Sequence, residues 1–150
     1  MRYVTSIHQT GQIGYRSGPL MASADDFRIF VRGTQTHAAM PWRGVDPIVV
    51  GAQIVTSLQT IVSRRMNITK EPSVVTVGVF QGGVRHNIIP DEVKLQLTLR
   101  SYSAAVRQHT IAALHRICRG EAISAGVPEN LFPVVQIGRA SCRERVSKQV

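Results

Sequence analysis

The chain is 150 residues long, 43% hydrophobic and 18% charged, with a formal net charge of +9. That length and apolar content suit one folded domain with its own core and exclude a disordered segment. No apolar run approaches the roughly 18 residues of a membrane span and no signal-peptide pattern is present, so no membrane partner is expected; the two cysteines, Cys118 and Cys142, make no disulfide framework, which leaves a reducing cytoplasm as the expected compartment.

In chain order, Met1–Leu20 sets Ile13 and Tyr15 among Gly11, Gly14 and Gly18, a short strand with turns that breaks at Gly18-Pro19. Residues 21–25, MASAD, are small enough for a crossing between domains. Phe27, Ile29 and Val31 then alternate with Arg28, Phe30 and Arg32, which predicts a first strand over Asp26–Val31. The stretch from Gly33 to Pro47, GTQTHAAMPWRGVDP, joins that strand to a helix: Asp46 suits an N-cap and Pro47 the first helical position. It carries one histidine, His37, on a short loop between rigid elements, where a side chain can be aimed outward. On the residues alone, a solvated surface histidine is the simpler reading.

From Pro47 to Arg65 the spacing turns helical. Ile48, Ala52, Val55, Leu58 and Val62 form one stripe, and Val50, Ile54 and Ile61 form a second beside it. Together they are wider than one contact with a sheet needs, which predicts two partners for this helix, its own sheet and a second subunit. Ser73–Gln81 is short and β-branched, a second strand, and Gly82-Gly83 opens a loop that runs to Pro90-Asp91. In Glu92–Tyr102, Val93, Leu95, Leu97 and Leu99 line one face of a third strand, and Lys94, Gln96, Thr98 and Arg100 line the other. Ser103 caps a second helix through Ala125, with Val106, Leu114, Ile117 and Ile123 inward and Gly126 ending it. Pro133–Gln136 begins a fourth strand.

Residues 137–146, IGRASCRERV, resemble the in-frame translation of a sequencing-library adaptor, so 137–150 is expected to be a non-native tail; a natural basic terminus is the alternative. Without the tail 14 basic and 8 acidic residues remain, a moderate +6. Strand, helix, strand, strand, helix, strand with one apolar sheet face predicts an α+β fold on the ferredoxin-like βαββαβ plan. That is a four-stranded antiparallel sheet with two helices on one face, the polar face being left to water or a ligand. RNA-recognition domains share the plan, but they need stacking aromatics on central strands, and the third strand has none before Tyr102. No nucleic-acid partner is expected. A freestanding binding or regulatory module stands as the alternative to an enzyme.

Five segments in order carry a more specific resemblance: GQIGYRSGPLMASADDF (11–27), GTQTHAAMPWRGVDPI (33–48), LQTIVSR (58–64), VVTVGVFQGGVRHNIIPDEV (74–93) and TLRSY (98–102). This set resembles the dimerisation (lid) domain of aminoacylase/carboxypeptidase-type metallopeptidases, the family of hippurate hydrolases and indole-acetyl-amino-acid hydrolases. The resemblance implies a homodimer formed through this domain and a parent enzyme that hydrolyses the amide of N-acyl amino acids. It also implies a divalent metal, zinc or manganese, that activates water in the parent. The fragment itself is expected to bind no metal and to be inactive alone: where the family places a ligand histidine this chain has Tyr3, and His8 is out of register. The implied divisions are residues 1–24 as the end of a catalytic domain and hinge, 25–136 as the lid, and 137–150 as the tail.

Residue by residue, the resemblance makes His37 a donor to the developing oxyanion in the partner subunit's active site. It makes Asn87 a substrate contact near the scissile group, and it pairs Arg100 with the substrate carboxylate, which a guanidinium fork fits. Read without the resemblance, Asn87 serves a turn before Ile88, and Arg100 belongs to a solvated strand face. By the same resemblance, many relatives have glycine at the position of Gln35, apart from a branch with a QTH triplet, and most have glycine at that of Leu97.

Overall fold

Alternation at every second residue, from Phe27 to Val31 and from Val93 to Leu99, builds the two central strands of the protein, whose computed structural model describes residues 22–138. In chain order the elements are β1 (Ser23–Arg32), β2 (Thr36–His37), α1 (Pro47–Arg65), β3 (Ser73–Gly82), β4 (Ile88–Ile89), β5 (Glu92–Ser101), α2 (Ala104–Ser124) and β6 (Val134–Ile137). The main sheet has the order β3-β5-β1-β6 and is antiparallel throughout. The inward side chains of β1 and β5 pack with Val50, Ile54, Leu58 and Ile61 of α1 and with Ala113, Leu114, Ile117 and Cys118 of α2. Both helices therefore cover one face, as the ferredoxin-like α+β plan requires. The opposite face carries Arg28, Lys94, Gln96, Thr98 and Arg100.

Both helices begin at their capping residues. Asp46 Oδ1 accepts the N–H of Ile48 at 2.8 Å and of Val49 at 3.4 Å, with Pro47 in the first turn. Ser103 Oγ accepts Val106 N–H at 3.3 Å. At the far end of α2, Gly126 takes φ 67°, which lets its own N–H reach Ile123 O and that of Val127 reach Ala122 O.

Several expectations need correction. β1 starts at Ser23 rather than Asp26, because its ladder with β5 runs unbroken from Ser23 opposite Ser101 to Arg32 opposite Glu92. The two stripes on α1 need no such change: the one through Val50, Ile54 and Ile61, joined by Leu58, faces the core, and Ile48 and Ala52 of the other are exposed. Ile123 points to solvent, 58% exposed, because the inward row of α2 passes through Leu114, Ile117, Cys118 and Ala122 and leaves the next residue off it. In β3 a register shift between Val77 and Val79 leaves Gly78 outside the ladder and brings Phe80 against α1 at Gly51. The two-residue ribbon of β2 and β4 was not expected at all. The divisions at 1–24 and 137–150 fall almost wholly outside the described residues, as do Tyr3 and His8. Within the described residues, Ile137 of β6 pairs with Phe27, and no helix is long and apolar enough to cross a membrane.

Candidate functional site

Between β1 and α1 the chain must double back and still deliver Asp46 to a helix start. A bridge closes this loop: Thr34 N–H donates to Val45 O at 3.0 Å and Val45 N–H to Thr34 O at 3.3 Å. The neck has no room for side chains. A Cβ on Gly33 would run into Val45 O and come within 2.5 Å of Pro47 Cδ, and one on Gly44 would lie 2.5 Å from Thr34 O. At the tip, Thr36 pairs with Ile89 and His37 with Ile88, and Ala38 N–H donates to Asn87 O at 3.0 Å. His37 and Asn87, far apart in sequence, thus become neighbours on one ribbon.

The His37 ring is held by its own loop. Its Nδ1 accepts Ala39 N–H at 3.1 Å, and Met40 N–H donates to His37 O at 2.8 Å. A ring nitrogen that accepts a hydrogen bond carries no proton in the neutral imidazole, so the proton is assigned to Nε2. The residue is exposed. The loop therefore presents a hydrogen-bond donor, Nε2–H, outward. Beside the ribbon lies an open hollow of about 400 Å³ lined by Gln35, Val84, Arg85, Ile88 and Asp91.

Arg100 lies elsewhere. The ribbon is tied to the start of β5 by Gly33 N–H donating to Asp91 O at 2.7 Å. Arg100 is eight residues further along β5 than Glu92, about 27 Å away at ~3.4 Å per residue. It is exposed on the open face between Ala24 of β1 and Val74 of β3, and no ion pair engages it among the described residues. The fold brings two of the three expected site residues together and sets the third at the opposite end of the sheet.

One buried charge escaped the sequence analysis. Asp25 is fully buried, and its carboxylate accepts from Arg107 Nε at 2.7 Å and Nη2 at 2.9 Å. That bond holds the Arg107 guanidinium above its ordinary pKa. The signal was present: Asp25 stands two residues before Phe27 in the inward series, and an acid there demands a partner. Burial pushes the Cys118 thiol up to about 12, which makes it a packing residue rather than a nucleophile. A divalent metal does not fit the described residues, since they contain no group of three or more His, Cys, Asp or Glu side chains placed to hold one.

Residues 22–125 match the family model of the M20 peptidase dimerisation domain. The chain is 38% identical over 121 residues to N-acetyl-L-cysteine deacetylase of Bacillus subtilis (strain 168), which is 78% of this chain and 29% of that protein. It is 41% identical over 112 residues to N-acyl-L-amino acid amidohydrolase of Geobacillus stearothermophilus, 75% of this chain and 30% of that one. The solved structure of Bacillus subtilis YXEP, a dinuclear metal-binding peptidase of the M20 family, superposes with a TM-score of 0.60 at 27% identity, over 83% of this chain and 28% of its own. The chain thus spans under a third of the length of these relatives. The matched stretch runs from β1 through α2, the ribbon of His37 and Asn87 included, and on that ground the chain belongs to the M20 peptidase family as its dimerisation domain.

Proposed function

We propose that this chain is the lid of a metal-dependent amidohydrolase that cleaves the amide of N-acyl amino acids. In this reading His37 donates to the oxyanion, Asn87 contacts the substrate beside it, and Arg100 pairs with the substrate carboxylate. The observation that carries the reading is the bond from Ala39 N–H to Nδ1 of the exposed His37, which leaves Nε2–H as the ring's free donor. Attack on an amide carbonyl builds negative charge on its oxygen, and a donor oriented beforehand stabilises that charge without reorganising as the reaction proceeds. The names of two relatives, an N-acyl-L-amino acid amidohydrolase and an N-acetyl-L-cysteine deacetylase, support the substrate class. Zinc or manganese, which the described residues do not hold, belongs in this reading to the rest of the enzyme, joined through the hinge at residues 1–24.

The distance between the ribbon and Arg100 supports action across a homodimer. The start of β5, to which the ribbon is tied, lies about 27 Å along the strand from Arg100, too far for one small substrate to span. Two copies can supply one end each. β3 is an edge strand that exposes Val74 and Val79, and α1 beside it exposes Ile48, Val49 and Ala52. A two-fold pairing of that edge and that helix would cover both.

Mixed dimers of the full-length enzyme test the proposal. One subunit carries His37→Ala and keeps its metal site; the other keeps His37 and lacks a metal ligand. If His37 serves the neighbouring subunit, each mixed dimer contains one complete site, and activity returns on mixing. No recovery, with subunit exchange verified, would refute the role.

A further inference from the structure

Among the described residues the buried polar side chains are Asp25, Ser73, Ser101 and Thr110, and they are gathered in one corner. Three of them lie in the last rungs of the sheet, where β1 starts and β5 stops, and the fourth is near the start of α2. Toward the other end of the sheet the corresponding inward side chains are aliphatic, Val31, Val93 and Leu95. A buried polar pair stabilises a core little more than well-packed apolar groups would, and costs heavily once one partner is lost. Concentration at one end therefore points to a task located there.

The last rung crosses β3, β5 and β1 as Ser73, Ser101 and Ser23. Ser73 Oγ donates to Arg100 O at 2.9 Å, and Ser23 Oγ donates to Ser101 O at 3.0 Å. Each hydroxyl has one proton, so the 3.1 Å contact between the two Oγ atoms is donated by Ser101. Two rungs in, Asp25 grips Arg107 of α2. Arg100 occupies the rung between these two, with Ala24 and Val74 as neighbours that offer its guanidinium no partner. A strand end would ordinarily fray here, and a fork meant for a carboxylate needs its backbone held to about 0.5 Å.

We infer that Ser73, backed by the Ser101–Ser23 pair, is a positioning residue for Arg100: it fixes the backbone from which the guanidinium meets the substrate carboxylate. The inference rests on the carboxylate role proposed above for Arg100.

The test compares an N-acyl amino acid with its carboxamide, which lacks the negative charge, on the full-length enzyme. Ser73→Ala is expected to raise KM for the acid about fivefold, leave kcat within about twofold and leave KM for the carboxamide unchanged. Ser73→Thr, which keeps the hydroxyl, restores the KM for the acid. Added to Arg100→Ala, the Ser73→Ala change has no further effect, because the group it positions is gone. A merely structural serine would move both substrates together, and that result overturns the inference. Should Ser73→Ala fail to fold, Ser23→Ala, at the half-buried end of the same rung, gives the same comparison. If Arg100→Ala discriminates between acid and carboxamide while the serine variants do not, the inference alone falls. If Arg100→Ala affects both substrates equally, the role of Arg100 is wrong and the inference goes with it.

Discussion

In the proposed role the His37 ring makes two separable contributions, and two substitutions divide them. Nδ1 accepts Ala39 N–H at 3.1 Å and holds the loop; Nε2–H faces outward and is free to serve an oxyanion. Asparagine at this position places an amide oxygen near the Nδ1 site and nothing near Nε2. Glutamine places an amide N–H near Nε2 and leaves Ala39 N–H to water. For His37→Asn the loop bond survives, so the melting temperature should stay close to that of the parent while kcat falls about 10²–10³-fold, the loss of one oxyanion donor. For His37→Gln the exposed loop bond is lost, at a cost of no more than about 1 kcal/mol, but a less firmly held donor remains, so kcat should fall only about tenfold. The assay is steady-state kinetics of the full-length enzyme on an N-acyl amino acid, with metal content and thermal unfolding measured on the same preparations. An asparagine variant as active as the parent, or a glutamine variant slower than the asparagine one, would refute the assignment of Nε2–H as the working donor.

Gly33→Ala should lower stability by about 1–3 kcal/mol, seen as a drop in melting temperature, because its Cβ collides with Val45 O and Pro47 at the loop neck. Asp25→Ala should cost about 2–3 kcal/mol in chemical denaturation, below the full cost of breaking a buried pair because the Arg107 side chain is 37% exposed. With Cys118 raised from 9.0 to about 12 in the fold, the native state holds a proton that the unfolded chain gives up above pH 9. Stability should therefore fall by up to about 1.4 kcal/mol per pH unit between those values, and Cys118→Ala in a Cys142→Ser background should abolish that slope. The 150-residue chain alone, supplied with zinc, manganese or cobalt, should show no turnover of N-acyl amino acids; metal-dependent activity above a control would contradict the proposed division of labour. Sedimentation of the same chain at micromolar concentration should show a dimer, and a persistent monomer would count against the α1–β3 interface.

The elements and their bounds were legible wherever local sterics and spacing decide them. Asp46-Pro47 and the helical spacing to Arg65 define α1 to the residue, and Leu alternation marks β5 and its inward face. His37 and Asn87 could be singled out as candidates, the first by its loop and both by resemblance. Their adjacency could not, because β2 and β4 are two residues each, too short for any periodicity, and their pairing goes with tertiary bonds, the Thr34–Val45 bridge and the Gly33–Asp91 bond, that hold the loop at the start of β5. The bulge at Gly78 and the outward turn of Ile123 likewise depend on partners across the sheet and across the helix layer. Asp25 reads as part of a crossing until the full β1–β5 register carries it into the core against Arg107. The separation of Arg100 from His37 is a matter of strand direction: both are short steps from a turn in sequence, but β5 runs away from the ribbon for its whole length, and only the antiparallel packing of the sheet decides which end each side chain reaches.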